Sequence, residues 1–103
     1  MMKKILNYFS KGDKMQLGAK HILVDQMYEA EDIIKKINSG SSFESLAKDF
    51  SKCPSGKDGG DLGKFGKGMM VKAFEDAVLN LEVDKISTPV KTQFGYHLIK
   101  RTF

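Results

Sequence analysis

Cys53, His21 and His97 are the side chains of this sequence best equipped for chemistry, being its only cysteine and its only two histidines. A thiolate beside an imidazole can attack a carbonyl. That reaction also needs an oxyanion hole and a carboxamide or carboxylate to orient the base, and the sequence carries no signature for either. Without them the same groups are tunable polar side chains, or simply structural. A core histidine is usually hydrogen-bonded in place, and a lone cysteine usually packs as a small hydrophobe. One cysteine and two histidines fall short of a structural zinc set, and their spacing suggests none. No metal and no cofactor are expected.

Around the cysteine the composition changes abruptly. Between Cys53 and Phe74 lie six of the ten glycines, at positions 56, 59, 60, 63, 66 and 68, together with Pro54. Leu62, Phe65, Met69, Met70 and Phe74 are interleaved with them, where a flexible linker would carry serine and charge. Glycine at this density lets the backbone turn through positive φ and come close to what it faces. The stretch reads as a turn-rich wall that holds apolar side chains toward a cleft with a thiol at its edge. The plainer reading, a loop that closes a core, leaves Met70 and Phe74 as ordinary core positions of a helix.

The elements that must position these residues follow from periodicity. Ala19–Val24 reads as a strand. Ala30, Ile33, Ile34 and Ile37 fall at i, i+3, i+4 and i+7, which predicts a helix ended by Gly40. Ser41 with Glu44 has the capping-box pattern, and Phe43, Leu46, Ala47 and Phe50 repeat the spacing up to Pro54. A third helix is predicted over Val71–Leu81. Lys85–Thr92 reads as an edge strand because it contains Pro89, and Tyr96–Phe103 as the last strand. The coarse order is strand, two helices, strand, helix, strand, strand. Such an order makes an α+β fold, a small four-stranded antiparallel sheet surrounded by helices.

The 103 residues suffice for one domain, 41% hydrophobic and 29% charged. No apolar run approaches the ~20 residues of a membrane span. The net charge of +4 is lodged in residues 1–20, which hold five lysines against Asp13; the rest balances twelve cations with twelve anions. A neutral body offers no electrostatic footprint for nucleic acid. Met1–Gly18 carries Lys3-Lys4 before Ile5-Leu6, but its apolar stretch is short and no small-residue cleavage site follows. It is read as a loosely attached basic extension, residues 1–18, ahead of a domain at 19–103. With no second cysteine for a disulfide, the expectation is a cytoplasmic monomer.

Six motifs in order give the sequence a family likeness. They are Lys20-His21-Ile22-Leu23-Val24, Phe43-x-x-Leu46-Ala47, Cys53-Pro54-Ser55-Gly56-Lys57, Gly59-Gly60-Asp61-Leu62-Gly63 and Gly68-x-Met70-Val71-x-x-Phe74-Glu75. The last is Ser87-x-Pro89-Val90-x-Thr92-x-Phe94-Gly95-Tyr96-His97-x-Ile99. Together, over residues 19–103, they resemble the rotamase domain of parvulin-type peptidyl-prolyl cis/trans isomerases, within the FKBP-like superfold.

The resemblance implies roles residue by residue. His21 and His97 would be buried side by side behind the active site, with Thr92 bonded into their network. Cys53 matches the position where family members carry cysteine or aspartate. Leu62, Met70 and Phe74 match the proline pocket, and Phe94 a residue lining the cleft. Phospho-specific members place a basic cluster after the first strand; here that position reads Asp25-Gln26-Met27, which cannot cradle a phosphate. The implied partners are proline-containing polypeptide segments. The physics agrees: an X-Pro bond rotates over a barrier of about 20 kcal/mol with no atom transferred, so an apolar grip on the ring and a tunable Cys53–His polar pair near the carbonyl suffice. Two other functions compete, a Cys–His hydrolase and a non-catalytic module that holds proline-containing chains.

Overall fold

The computed structural model describes residues 16–103. Four strands and three α-helices follow in the order β1 (Gln16–Val24), α1 (Met27–Asn38), α2 (Phe43–Phe50), β2 (Asp61–Gly66), α3 (Lys72–Leu79), β3 (Val90–Thr92) and β4 (Gly95–Arg101). A short 3₁₀ turn, Pro54–Asp58, sits between α2 and β2. The strands form one antiparallel sheet in the spatial order β2-β1-β4-β3. This is the expected α+β architecture.

The central strand is longer than the sequence pattern suggests. β1 begins at Gln16, so residues 16–18 belong to the sheet and not to the basic extension; the remainder of that extension, residues 1–15, lies outside the described residues. Gly18 does not stop the strand. A Cβ there would stand 2.7 Å from Thr102 Oγ1 and 2.9 Å from the Phe103 Cβ, so the missing side chain makes room for the end of the chain. Leu17, just before it, is fully buried.

Helix α1 starts at Met27, where Glu29 accepts the backbone N–H of Gln26 at 2.9 Å, and it buries Ala30 and Ile33. The cap of α2 is Ser42, whose Oγ accepts the Ser45 N–H, and not Ser41. The expected Ser41–Glu44 box fails because Glu44 has a stronger claim on it. Lys20 and Lys100 stand opposite each other across β1 and β4, and Glu44 Oε2 reaches both, at 2.9 and 3.3 Å. Like charges facing across a ladder repel, and one anion between them relieves that.

The second strand of the expected order lies inside the glycine-rich stretch, with a register irregularity against β1 between Gly18 and Lys20. Helix α3 is shorter than expected at both ends. The strand read over Lys85–Thr92 shrinks to Val90–Thr92. Pro89 has no N–H to give the ladder, and upstream only Ile86 makes a single bridge, to Lys100. Ser87 completes that region by donating its N–H to Ile99 O at 2.8 Å and accepting the Ile99 N–H on its hydroxyl at 3.0 Å. β4 ends at Arg101, whose guanidinium turns to the Leu81 carbonyl at 2.7 Å beyond α3.

Two cores result, one on each face of the sheet. Ile22, Val24 and Leu98 pack under α1 and α2. Leu17, Ala19 and Ile99 pack with Phe65 of β2 and with Phe74 and Val78 of α3.

Candidate active site

Alternation along the strands decides which side chains meet. In β1, Leu17, Ala19, His21 and Leu23 share the α3 face, and in β4 His97 and Ile99 join them. The register sets His21 against Ile99 and Leu23 against His97, so the histidines are diagonal neighbours on one face. Their Nδ1 atoms lie 3.0 Å apart, and both rings are buried. Thr92, at the end of β3, places Oγ1 2.7 Å from His97 Nε2 and accepts the Phe94 N–H at 3.1 Å. Phe74 of α3 stands edge-on to both imidazoles, at centroid distances of 5.6 and 5.4 Å.

Burial pushes His21 down to about 4, with the adjacent His97 adding to the effect, and burial lowers His97 as well. Both rings are therefore neutral at pH 7. Between two neutral imidazoles in contact through Nδ1, one ring donates and the other accepts. Among the described residues, the buried His21 Nε2 has no hydrogen-bond partner. A buried polar atom with no partner raises the free energy of the fold, which marks this atom as a place to look for function.

Cys53 is set by the link that follows α2. The Ser51 hydroxyl accepts two backbone N–H groups, Leu23 at 3.0 Å and Cys53 at 3.3 Å, and so ties the thiol to the end of β1. Its sulfur accepts the Ser55 hydroxyl at 3.3 Å. Among the described residues no hydrogen bond joins it to either histidine, so the expected Cys53–His pair is not formed: the thiol is bonded to Ser55 and the histidines to each other and to Thr92. Gly60 closes the other side: His21 donates its N–H to Gly60 O at 2.9 Å, and Gly60 has φ +86°. A Cβ on Gly60 would stand 2.4 Å from the His21 carbonyl oxygen, so only glycine fits against that backbone.

The result is an apolar cleft of about 490 Å³. Leu62, Met70, Phe74 and Phe94 form its walls, His21 and His97 its back, and Cys53 its rim. Phe94 is 58% exposed although it is a large apolar side chain, which suits a wall waiting for an occupant. Among the described residues no group of three or more His, Cys, Asp or Glu could hold a metal ion.

Residues 20–102 match the family model described as Rotamase, PPIC-type PPIASE domain. This chain belongs to the parvulin family of peptidyl-prolyl cis/trans isomerase domains. The parvulin domain is 52% identical over 90 residues to foldase protein PrsA 4 of Bacillus cereus, which covers 86% of this chain and 32% of that protein. Its fold superposes on the crystal structure of PrsA from Bacillus subtilis with a TM-score of 0.84 at 43% identity, over 93% of this chain and 38% of the other. The solution structure of NmPin, the parvulin of Nitrosopumilus maritimus, matches at 48% identity and a TM-score of 0.76, over 85% of this chain and 96% of that one. The chain thus spans about a third of the length of the PrsA relatives and nearly all of the NmPin chain. Its activity class is peptidyl-prolyl isomerisation.

The isomerase fold brings together all eight residues singled out from the sequence: His21, Cys53, Leu62, Met70, Phe74 and Phe94 line the cleft with His97, and Thr92 bonds the back of it. Met69 of the expected apolar wall lines it too, whereas Phe65 turns into the core; Leu23, Lys52, Pro54 and Val71 also line it and were not singled out. Leu23 carried a signal, since it alternates with His21 in one strand. Lys52 carried none beyond its place next to Cys53.

Proposed function

We propose that this domain accelerates rotation about X-Pro bonds of unmodified polypeptide chains without any covalent intermediate. One observation carries the reading: an apolar cleft closed at the back by two neutral histidines and edged by a thiol whose hydrogen bond goes to Ser55, not to an imidazole.

In the twisted transition state the C–N bond loses conjugation and the ring nitrogen becomes pyramidal. Leu62, Met70, Phe74 and Phe94 grip the proline ring; soft, unbranched Met70 suits a ring of variable pucker. Cys53 stands at the rim as a polar group beside the carbonyl of the preceding residue, stabilising the twisted amide more than the planar one. The histidines, bonded to each other and to Thr92, hold the back of the cleft rigid and move no proton to substrate.

Cytoplasmic residence and a monomeric state accompany this reading, supported by a free Cys53 and a charge-balanced domain. Among the described residues no helix is long and apolar enough to cross a membrane. The substrate is a proline-containing chain, with phosphoserine before proline giving no advantage because Asp25 occupies the position after β1.

The test is the exchange rate of Cys53→Ser, Cys53→Asp and Cys53→Ala on one X-Pro peptide, with folding checked by thermal melts. Ser and Asp should retain a substantial part of the activity and Ala less. Loss of all activity in Ser and Asp alike, with a trapped substrate adduct on Cys53, would overturn the mechanism. Equal binding of X-Pro and X-Ala peptides with no exchange by the native chain would instead indicate a holding module.

A further inference from the structure

The rim of the cleft carries a charged pair with no part in the mechanism above. Lys52 lines the cleft next to Cys53, and its Nζ lies 3.0 Å from Asp25 Oδ2. Its backbone is fixed, since the Lys52 N–H donates to Leu23 O at 2.8 Å. Asp25 directly follows β1, which carries His21 and Leu23 into the same cleft. Glu29, in the first turn of α1, also acts on the Lys52 charge. Both partners of the pair are about half exposed, so they are reachable by a bound chain.

The position of this pair along a substrate follows from connectivity. If the walls hold the proline ring and Cys53 stands by the preceding carbonyl, the side chain of the residue before proline starts one carbon from that carbonyl, beside the rim that Cys53 and Lys52 share. We propose, resting on the isomerase reading, that Asp25 and Lys52 set the charge tolerance of the domain for the residue before proline. Asp25 holds the Lys52 ammonium, the only one lining the cleft among the described residues, and cancels it, so the native rim discriminates little between acidic and basic residues. Freed of Asp25, Lys52 would select for carboxylate; without Lys52, Asp25 and Glu29 would select for ammonium.

The experiment measures kcat/KM of the full chain on a peptide series differing only in the residue before proline: Glu, Gln, Lys and phosphoserine. The Glu-to-Lys ratio within one enzyme cancels any difference in folded fraction. The native ratio should stay within about twofold of unity, as expected for a neutralised exposed pair. Asp25→Asn should raise it by about two- to fivefold and improve phosphoserine in the same direction, and Lys52→Gln should lower it below unity by a similar factor. The gain in Asp25→Asn should shrink in about 0.5 M salt, because screening removes the charge effect and leaves packing untouched. Two outcomes overturn the proposal: ratios unchanged in both variants, or a native enzyme that already favours Glu severalfold. A native chain that turns over no X-Pro peptide would be a failure of the isomerase reading itself, and so is distinguishable.

Discussion

Under α1 and α2, Ile22, Val24 and Leu98 pack against Ala30, Ile33, Phe43 and Leu46, and the two lysines that alternation sends to this face share Glu44. On the opposite face the same two strands present His21 and His97, lowered in pKa by burial, with one ring nitrogen unpartnered among the described residues. There Phe94 and Met69 stand exposed around an open cleft. One face pairs its charged groups and closes; the other, among the described residues, leaves His21 Nε2 without a partner and stays open. Both faces carry a core, and the second also shapes the cleft.

The comparison can be broken most forcefully by truncating one core residue on each face. Leu46→Ala should cost roughly 2–5 kcal/mol and leave the exchange rate per folded molecule unchanged, whereas Phe74→Ala should cost roughly 3–5 kcal/mol and remove most catalysis as well. Urea melts and an NMR exchange assay on the same samples read both. Equal catalytic losses from the two would erase the distinction between the faces. Met70→Ala, which touches less of the core, sharpens it: a folded variant with undiminished exchange would remove Met70 from the ring grip.

Gly60→Ala tests the join between the cleft and β1. The left-handed backbone costs alanine roughly 1–2 kcal/mol, and the contact with the His21 carbonyl adds roughly 1–3 kcal/mol of overpacking. Because the strain falls on His21 itself, the imidazole signals should shift even in the folded fraction. Unshifted imidazole resonances would show that the loop yields instead.

Acid should act on the two faces in different windows. The folded pKa of His21 is depressed to about 4 from 6.5, so between these values the unfolded chain binds a proton that the folded one refuses. Stability is therefore full above pH 6.5 and falls as pH drops toward 4, by up to roughly 3 kcal/mol from this residue. His97 acts in the same direction. Urea midpoints that stay flat across that window would mean an imidazole carries charge in the fold. Glu44 is lowered to about 2 from 4.5, chiefly by the Lys20 hydrogen bond, so its share persists above pH 4.5 and is lost only toward pH 2. Glu44→Gln is the smallest effect, under about 1 kcal/mol at neutral pH, because the group is partly exposed. A loss several times larger would make that ion triad a main support of the closed face.

Much of this was readable in the sequence, and the reason is local periodicity. Ala30, Ile33 and Ile37, or Phe43, Leu46 and Ala47, declare their helices by spacing alone. What failed was decided by partners distant in sequence. Gly18 looks like a terminus until Thr102 and Phe103 are seen crossing it. Glu44 looks like a capping residue until two lysines compete for it. The cleft was legible through the ordered motifs, which placed Thr92 and Leu62 where periodicity could not. Lys52 and Ser51 escaped because their roles depend on the end of β1, far upstream in the chain.

The two ends of the described chain leave the sheet together. Ala19 pairs with Arg101, and Thr102 donates its N–H to Gly18 O at 2.9 Å, at the end of the sheet away from the turn that carries Phe94. A fold whose entry and exit lie side by side behaves as a cassette. It can be spliced into a loop of a larger host with little stretching of either connection, and the host can be rearranged without moving the catalytic frame. The same geometry makes the β1–β4 seam the natural place to join the ends and reopen the chain elsewhere, for example at the exposed turn formed by Lys67 and Gly68 between β2 and α3.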